Sequence, residues 1–139
     1  NRYNLFDRTI ERNGLKDAAG ELGKGIICFC PLEQGVLTDR YLNGIPEDSR
    51  VKTDGRFLKE KDVEFYILKA KELKAVADKR GQSLAEMSLA WLLKDPRITS
   101  VLVGASRAEQ LLTNIRAIHS APFSEEELKE IEKITTENW

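Results

Sequence analysis

Few of the residues that ligate metals or form disulfides are present. The 139 residues include one histidine, two cysteines and one methionine. Cys28 and Cys30 lie two apart and cannot make a disulfide framework, which fits a reducing cytoplasm. His119 is far from both in sequence, so no metal-ligand spacing exists and no metal is expected. Neither sign of charge dominates: 22 Lys plus Arg stand against 23 Asp plus Glu, a net charge of −1. That removes the basic footprint of a nucleic-acid binder and the electrostatic case for an anionic membrane. No apolar run approaches the roughly 18 residues of a membrane span, and the polar stretch from Asn1 to Arg8 does not read as a signal peptide. What is there is 41% hydrophobic and 32% charged residues, enough for a core and against wholesale disorder.

Helix and strand patterns alternate. Residues 15–22 read as a short helix, with Leu15, Ala18, Ala19 and Leu22 at helical spacing. Residues 25–30, ended by Pro31, read as a strand buried on both faces. Residues 31–61 have no sustained period, and so long a connection is either functional or mobile. Residues 63–80 predict a helix with Val63, Tyr66, Ile67, Ala70, Leu73 and Ala77 on one face, capped by Gly81. Ser83 and Glu86 form a capping box for a nearly all-apolar helix that Asp95-Pro96 ends. Residues 100–104 read as a second buried strand. Ser106 and Glu109 then cap a helix whose Ala108, Leu111, Leu112, Ile115 and Ile118 share a face. Ser124 and Glu127 box the start of a last helix running to about Thr136. Apolar strands each followed by helices imply right-handed βα units in a parallel sheet. A closed (β/α)₈ barrel takes about 250 residues, so this α/β chain is read as roughly half of one, a single partial domain over residues 1–139.

Two places could carry chemistry. At residues 103–110 a strand ends in Gly104 and runs into a Ser106-capped helix. Helix N-termini expose unpaired N–H groups with partial positive charge, which suits an anion. Arg107 in that first turn opposes the dipole, so a phosphate contact would explain it; a solvated Arg beside an ordinary cap is the plain alternative. At residues 29–35 a strand end leads into a loop, where α/β proteins place ligands. Phe29 could stack on a planar ring, or simply fill core. His119 at a helix end and Trp91 in the apolar helix are most simply structural.

At these residues the sequence resembles the C-terminal half of an aldo-keto reductase. The stretches carrying it are Tyr3-Asn4-Leu5-Phe6-Asp7-Arg8; Cys30-Pro31-Leu32-Glu33-Gln34-Gly35 with Arg40-Tyr41-Leu42; residues 83–93; and SVLVGASRAEQLLTN, residues 100–114. Residues 41–50 resemble the branch of bacterial glyceraldehyde-3-phosphate reductases and potassium-channel β subunits. The resemblance implies strands six to eight of a TIM barrel and NADPH bound across its mouth. It implies Phe29 against the nicotinamide, with Cys30, Pro31, Leu32, Gln34 and Gly35 along the pyrophosphate. Arg40 and Arg50 match basic residues near the phosphates, Gly104, Ser106 and Arg107 match the grip on the 2′-phosphate, and Gln110 and Asn114 match contacts to the adenosine end. Family members often have Ser at Cys30. The catalytic Asp, Tyr, Lys and His of the family come from earlier strands, so no catalytic residue is assigned here.

The reading is a cytoplasmic oxidoreductase: NADPH-dependent reduction of a small carbonyl substrate by a full-length parent, with this chain alone inactive. The alternative is an NADP(H)-binding regulatory subunit like the channel β subunits; a sugar-phosphate barrel enzyme fits the Cys30-Pro31-Leu32 loop less well. A half-barrel is expected to self-associate or pair with the missing N-terminal half, since Ile26, Cys28, Val101 and Val103 would lack inner partners.

Overall fold

A computed structural model describes residues 1–53 and 60–136. Its elements in chain order are α1 (Thr9–Arg12), α2 (Leu15–Glu21), β1 (Ile26–Cys28), α3 (Arg50–Thr53), α4 (Glu60–Lys79), α5 (Leu84–Leu93), β2 (Ile98–Val101), α6 (Ala108–Ile115) and α7 (Glu125–Thr136). Short 3₁₀ turns lie at Glu33–Gly35, Asp39–Tyr41 and Arg116–His119. The chain forms two compact units. The first comprises residues 1–33 and 86–123; the second comprises 34–85 and 124 onward.

In the first unit β1 and β2 pair in parallel, with Ile26 opposite Ile98, Ile27 opposite Ser100 and Cys28 opposite Val101. On the other edge of β1, Phe29 bridges Arg2 in parallel: its N–H donates to Asn1 O at 2.9 Å and its carbonyl accepts from Tyr3 N at 3.4 Å. Three neighbouring parallel segments joined through helices are the βα arrangement expected of a barrel. The second strand begins two residues earlier than the apolar run 100–104 suggests. Ile26 N already donates to Arg97 O at 3.0 Å, so pairing starts directly after Pro96. The ladder reaches Leu102, whose N–H donates to Cys28 O at 2.8 Å.

Among the described residues, only one face of this sheet is covered. Ile26 and Cys28 are buried, whereas Ile27 is 55% and Phe29 47% exposed. Strand side chains alternate between faces, so β1 is not buried on both. The expectation that Ile26, Cys28, Val101 and Val103 lack partners is also corrected. The first two are buried, and Val101 and Val103 pack on a cluster of Leu89, Ala90 and Ala117. The uncovered residues are Ile27, Phe29 and Leu102.

In the second unit α4 and α7 pack together. Val63, Ile67, Ala70, Leu73, Val76 and Ala77 of α4 are buried, as are Ile131 and Ile134 of α7. Tyr66 is only half-buried. Gly81 takes φ +66°, which an L side chain adopts at a cost, and Gln82 N closes the helix onto Ala77 O at 3.0 Å. Arg80 donates to Glu127 at 2.8 Å, linking the end of α4 to α7. The box before α7 is reciprocal: Ser124 N donates to Glu127 Oε2 at 2.7 Å and Glu127 N to Ser124 Oγ at 3.2 Å.

The stripe predicted on α6 is present but bare. Leu111 and Ile115 are exposed, as are Leu112 at 62% and Ile118 at 67%. Among the described residues only Asn114 of α6 is buried. No helix among the described residues is long and apolar enough to cross a membrane, and none of their His, Cys, Asp and Glu side chains group as a metal site.

Candidate functional site

In the first unit the candidate residues begin where β1 ends. Phe29 holds its backbone in the sheet and leaves its ring half open. Cys30 and Glu33 then take φ of +53° and +43°. Non-glycine residues in this region cost of order 1–3 kcal/mol each and persist where surrounding bonds over-determine them. Here the bonds come from Asn4 and Arg2. Asn4 Nδ2 donates to Cys30 O at 2.9 Å and to the buried Glu33 carboxylate at 2.7 Å. Its Oδ1 accepts from Phe6 N and Asp7 N, both at 2.8 Å. The Arg2 guanidinium pairs with Glu33. Pro31 is buried, and Leu32 packs on the Leu89–Ala117 cluster. None of Arg2, Asn4 or Glu33 is among the sequence-derived site residues. The run from Tyr3 to Arg8 held the only signal for Asn4.

Gly104, Ser106, Arg107 and Gln110 come together at the start of α6, and a Cβ on Gly104 would meet nothing within 4 Å. The cap differs from the expected Ser106–Glu109 box. Arg107 is the N-cap, in extended conformation, and Gln110 closes the turn. Its Oε1 accepts from Ser106 N at 2.9 Å, Ser106 Oγ at 3.1 Å and Arg107 N at 3.2 Å. An Arg side chain has no acceptor, so the first-turn N–H groups of α6 receive no side-chain cap. The Arg107 side chain is exposed and has no carboxylate partner among the described residues. Asn114, one turn beyond Gln110, is buried.

In the second unit the loop continues through Gln34 at φ +54° and Gly35 at φ +96°. Thr38 Oγ1 donates to Gly35 O at 2.6 Å and accepts from Arg40 N at 3.2 Å. The Arg40 guanidinium is spoken for: it pairs with Asp48 at 2.7 Å and holds that carboxyl below the usual carboxylate range. Arg50 opens α3, and its side chain lies outside the described residues. His119, itself exposed, ends a 3₁₀ turn.

Sequence reasoning also missed a charge cluster in the first unit. Lys16, almost buried, pairs with Glu11 at 3.0 Å and Asp95 at 2.9 Å. Arg97 forks onto Asp95 through Nε at 2.9 Å and NH2 at 2.8 Å, and reaches Asp17 at 2.7 Å. Tyr3 donates to Glu11, as does Arg8. The bonds from Arg97 and then Lys16 hold Asp95 well below the carboxylate range. Burial and the Glu11 bond push the Tyr3 phenol far up. Burial favours protonated Glu11, but the bonds from Tyr3, Arg8 and Lys16 outweigh it and lower the carboxyl. Trp91 sits among these groups, its ring 5.6 Å from Tyr3 by centroid, with Arg8 at 4.9 Å and Lys94 at 3.9 Å. The partners are spread over residues 3–17 and 91–97, and no local pattern encodes their pairing, which is why only Trp91's burial was foreseeable.

Comparison with known proteins gives this geometry a setting. The chain is 50% identical over 135 residues to L-glyceraldehyde 3-phosphate reductase of Escherichia coli O157:H7, and 48% identical to the protein of that name from strain K12. Each match covers 94% of this chain, which spans 39% of the length of either relative. Among solved structures, the glycerol dehydrogenase of Gluconobacter oxydans is similar with a TM-score of 0.77 at 25% identity, covering 96% of this chain and 40% of that one. A thermostable aldo-keto reductase in complex with the inhibitor epalrestat is similar with a TM-score of 0.66 at 26% identity, covering 96% of this chain and 38% of that one. These neighbours have the TIM-barrel fold, and the three parallel segments here are part of such a barrel. The family model for the aldo/keto reductase family matches residues 1–136. The chain belongs to the aldo/keto reductase family.

Proposed function

We propose that the full-length protein is an NADPH-dependent carbonyl reductase and that these residues grip the cofactor's phosphates. The observation that carries this reading is the start of α6: an Arg107 guanidinium without a carboxylate, beside first-turn N–H groups without a side-chain cap. Both want an anion, and a 2′-phosphate supplies one. Ser106 and Gln110 are bonded to each other and would exchange those bonds for cofactor contacts. Phe29 offers a half-open ring to the nicotinamide. Cys30, Pro31 and Leu32 would line the pyrophosphate, and Asn114 the adenosine end; for Gln34 and Gly35 that role rests on the family resemblance alone. Arg40 fits less readily, since a phosphate must compete with Asp48.

NADPH, when bound, supplies the hydride that reduces a carbonyl carbon. This chain's residues bind and orient it; the proton donor lies in the family's earlier strands. The relatives' names make L-glyceraldehyde 3-phosphate the first substrate to try. The rest of the barrel, or a second copy, would cover Ile27, Phe29, Leu102 and the bare face of α6. A cytoplasmic setting would keep Cys28 and Cys30 reduced.

The test is steady-state NADPH oxidation by the full-length protein over an aldehyde panel that includes L-glyceraldehyde 3-phosphate. Turnover with at least one aldehyde is expected. Tight NADPH binding with no turnover on any carbonyl would overturn the enzymatic reading and leave a nucleotide-holding regulatory subunit.

A further inference from the structure

The buried pair of Asn4 and Glu33 sorts the backbone groups of the loop from Cys30 to Leu32. Every bonding position of the Asn4 amide is used. Nδ2 donates to Cys30 O at 2.9 Å and to Glu33 Oε2 at 2.7 Å, and Oδ1 accepts from Phe6 N and Asp7 N. Turning the amide over would lose all of these bonds, so its orientation is set. Cys30 O takes a second bond, from Glu33 N at 3.2 Å. The carbonyl that would repel an anion is thus occupied twice. Pro31 has no N–H, and the N–H groups on either side of it, those of Cys30 and Leu32, have no acceptor among the described residues. Free N–H groups beside an occupied carbonyl suit anionic oxygens. The same arrangement puts a carboxylate next to Leu32. Glu33 is 1% exposed, so water and salt screen it little. The Arg2 guanidinium pairs with it and also lies 3.4 Å from Asp7 through Nε. Arg2 therefore stands against two carboxylates, and without it an anion at the loop would meet their repulsion.

We propose that Arg2, Asn4 and Glu33 are positioning residues for a diphosphate at this loop. Asn4 and Glu33 keep Cys30 O occupied and leave the Cys30 and Leu32 N–H groups free. Arg2 offsets the charge that Glu33 brings. All three act through the loop or through charge, and none has to touch the ligand. This rests on the cofactor reading above, in which the diphosphate belongs to NADPH. It differs from the part given to Arg107, because NADPH and NADH carry the same diphosphate and depend on Arg2 alike.

The test uses the full-length protein and titration calorimetry with NADPH, NADH and adenosine 2′-monophosphate, which has no diphosphate. Arg2→Gln is expected to weaken NADPH and NADH alike by roughly tenfold or more, the scale of a lost charge-assisted bond. Binding of adenosine 2′-monophosphate should stay unchanged. Arg2→Lys should keep most of the affinity, and adding Glu33→Gln to Arg2→Gln should recover most of the loss. A readout without cofactor is alkylation of the half-buried Cys30 by iodoacetamide, followed by peptide mass spectrometry with the buried Cys28 as reference. Glu33→Ala is expected to speed it about fivefold, the scale of one lost hydrogen bond. Equal cofactor binding by Arg2→Gln and the unaltered protein overturns the proposal, as does an equal loss for adenosine 2′-monophosphate or an unchanged Cys30 rate in Glu33→Ala. Failure of the unaltered protein to bind either NADPH or NADH would strike the cofactor reading itself, and this one with it.

Discussion

Arg107 and Asp95 give the sharpest expectations for single side chains. Arg107→Ala in the full-length protein should raise the NADPH Michaelis constant roughly tenfold, the scale of a lost charge-assisted contact, and leave NADH nearly unchanged. Steady-state kinetics with both cofactors checks it; an equal effect on both would assign Arg107 to structure. Asp95 is depressed in the fold, so its stabilisation is full above the unfolded carboxylate value near about 4 and is lost as pH falls below that. Asp95→Asn should destabilise by about 1.5–3 kcal/mol at neutral pH, the value of hydrogen bonds to charged groups. Urea titrations of both proteins should show that gap narrowing as pH drops below about 4. The positions of Phe29, Ser106, Arg107 and Gln110 in the fold were legible because each sits at a recognisable strand end or helix start. Asn4 and Glu33 were not: their bond joins positions 29 residues apart, and no local pattern encodes it.

The elements themselves were more readable than their edges or faces. Helical periodicity located α2, α4, α5, α6 and α7, since 3.6-residue spacing survives in any context that buries one side. The start of β2 was misplaced because the polar Thr99 and Ser100 separate Ile98 from the apolar residues that follow; the bond from Ile26 N to Arg97 O and the pairing of Ile26 with Ile98, not hydropathy, begin the strand. The α6 box slipped by one because Gln110 and Glu109 both satisfy the pattern, and only Gln110 turns back to the N-cap. At the strand pair, a Cβ on Gly25 would lie 2.1 Å from Thr99 Oγ1 and 3.0 Å from Thr99 Cβ. Gly25→Ala should therefore cost about 1–3 kcal/mol by overpacking. Adding Thr99→Ala should recover much of that loss, a coupling that chemical denaturation of the two single variants and the double variant would measure.

For the chain as a whole, the barrel fold was legible from two strand patterns and their following helices, while the uncovered surface was assigned to the wrong residues. Period-two alternation says which side chains share a face, but not which face the helices take. Ile27, Phe29, Leu102, Leu112 and Ile118 are open. The isolated 139-residue chain should therefore associate or stay partly unfolded, and light scattering at low micromolar concentration should show species above the monomer. A cooperative monomer would show that these faces need no cover. It should also reduce no carbonyl at a useful rate, because general acid catalysis contributes about 10²–10⁴-fold and the family's donor lies elsewhere; a turnover number equal to a full-length relative's would disprove this. The parallel pairing of Cys28 with Val101 bears on synthesis as well. At about 5–20 residues per second, a ribosome takes several seconds to travel from one to the other. During that interval β1 has no β2 to bond, and once it clears the ribosome its apolar run is open to a holdase before Val101 has been added.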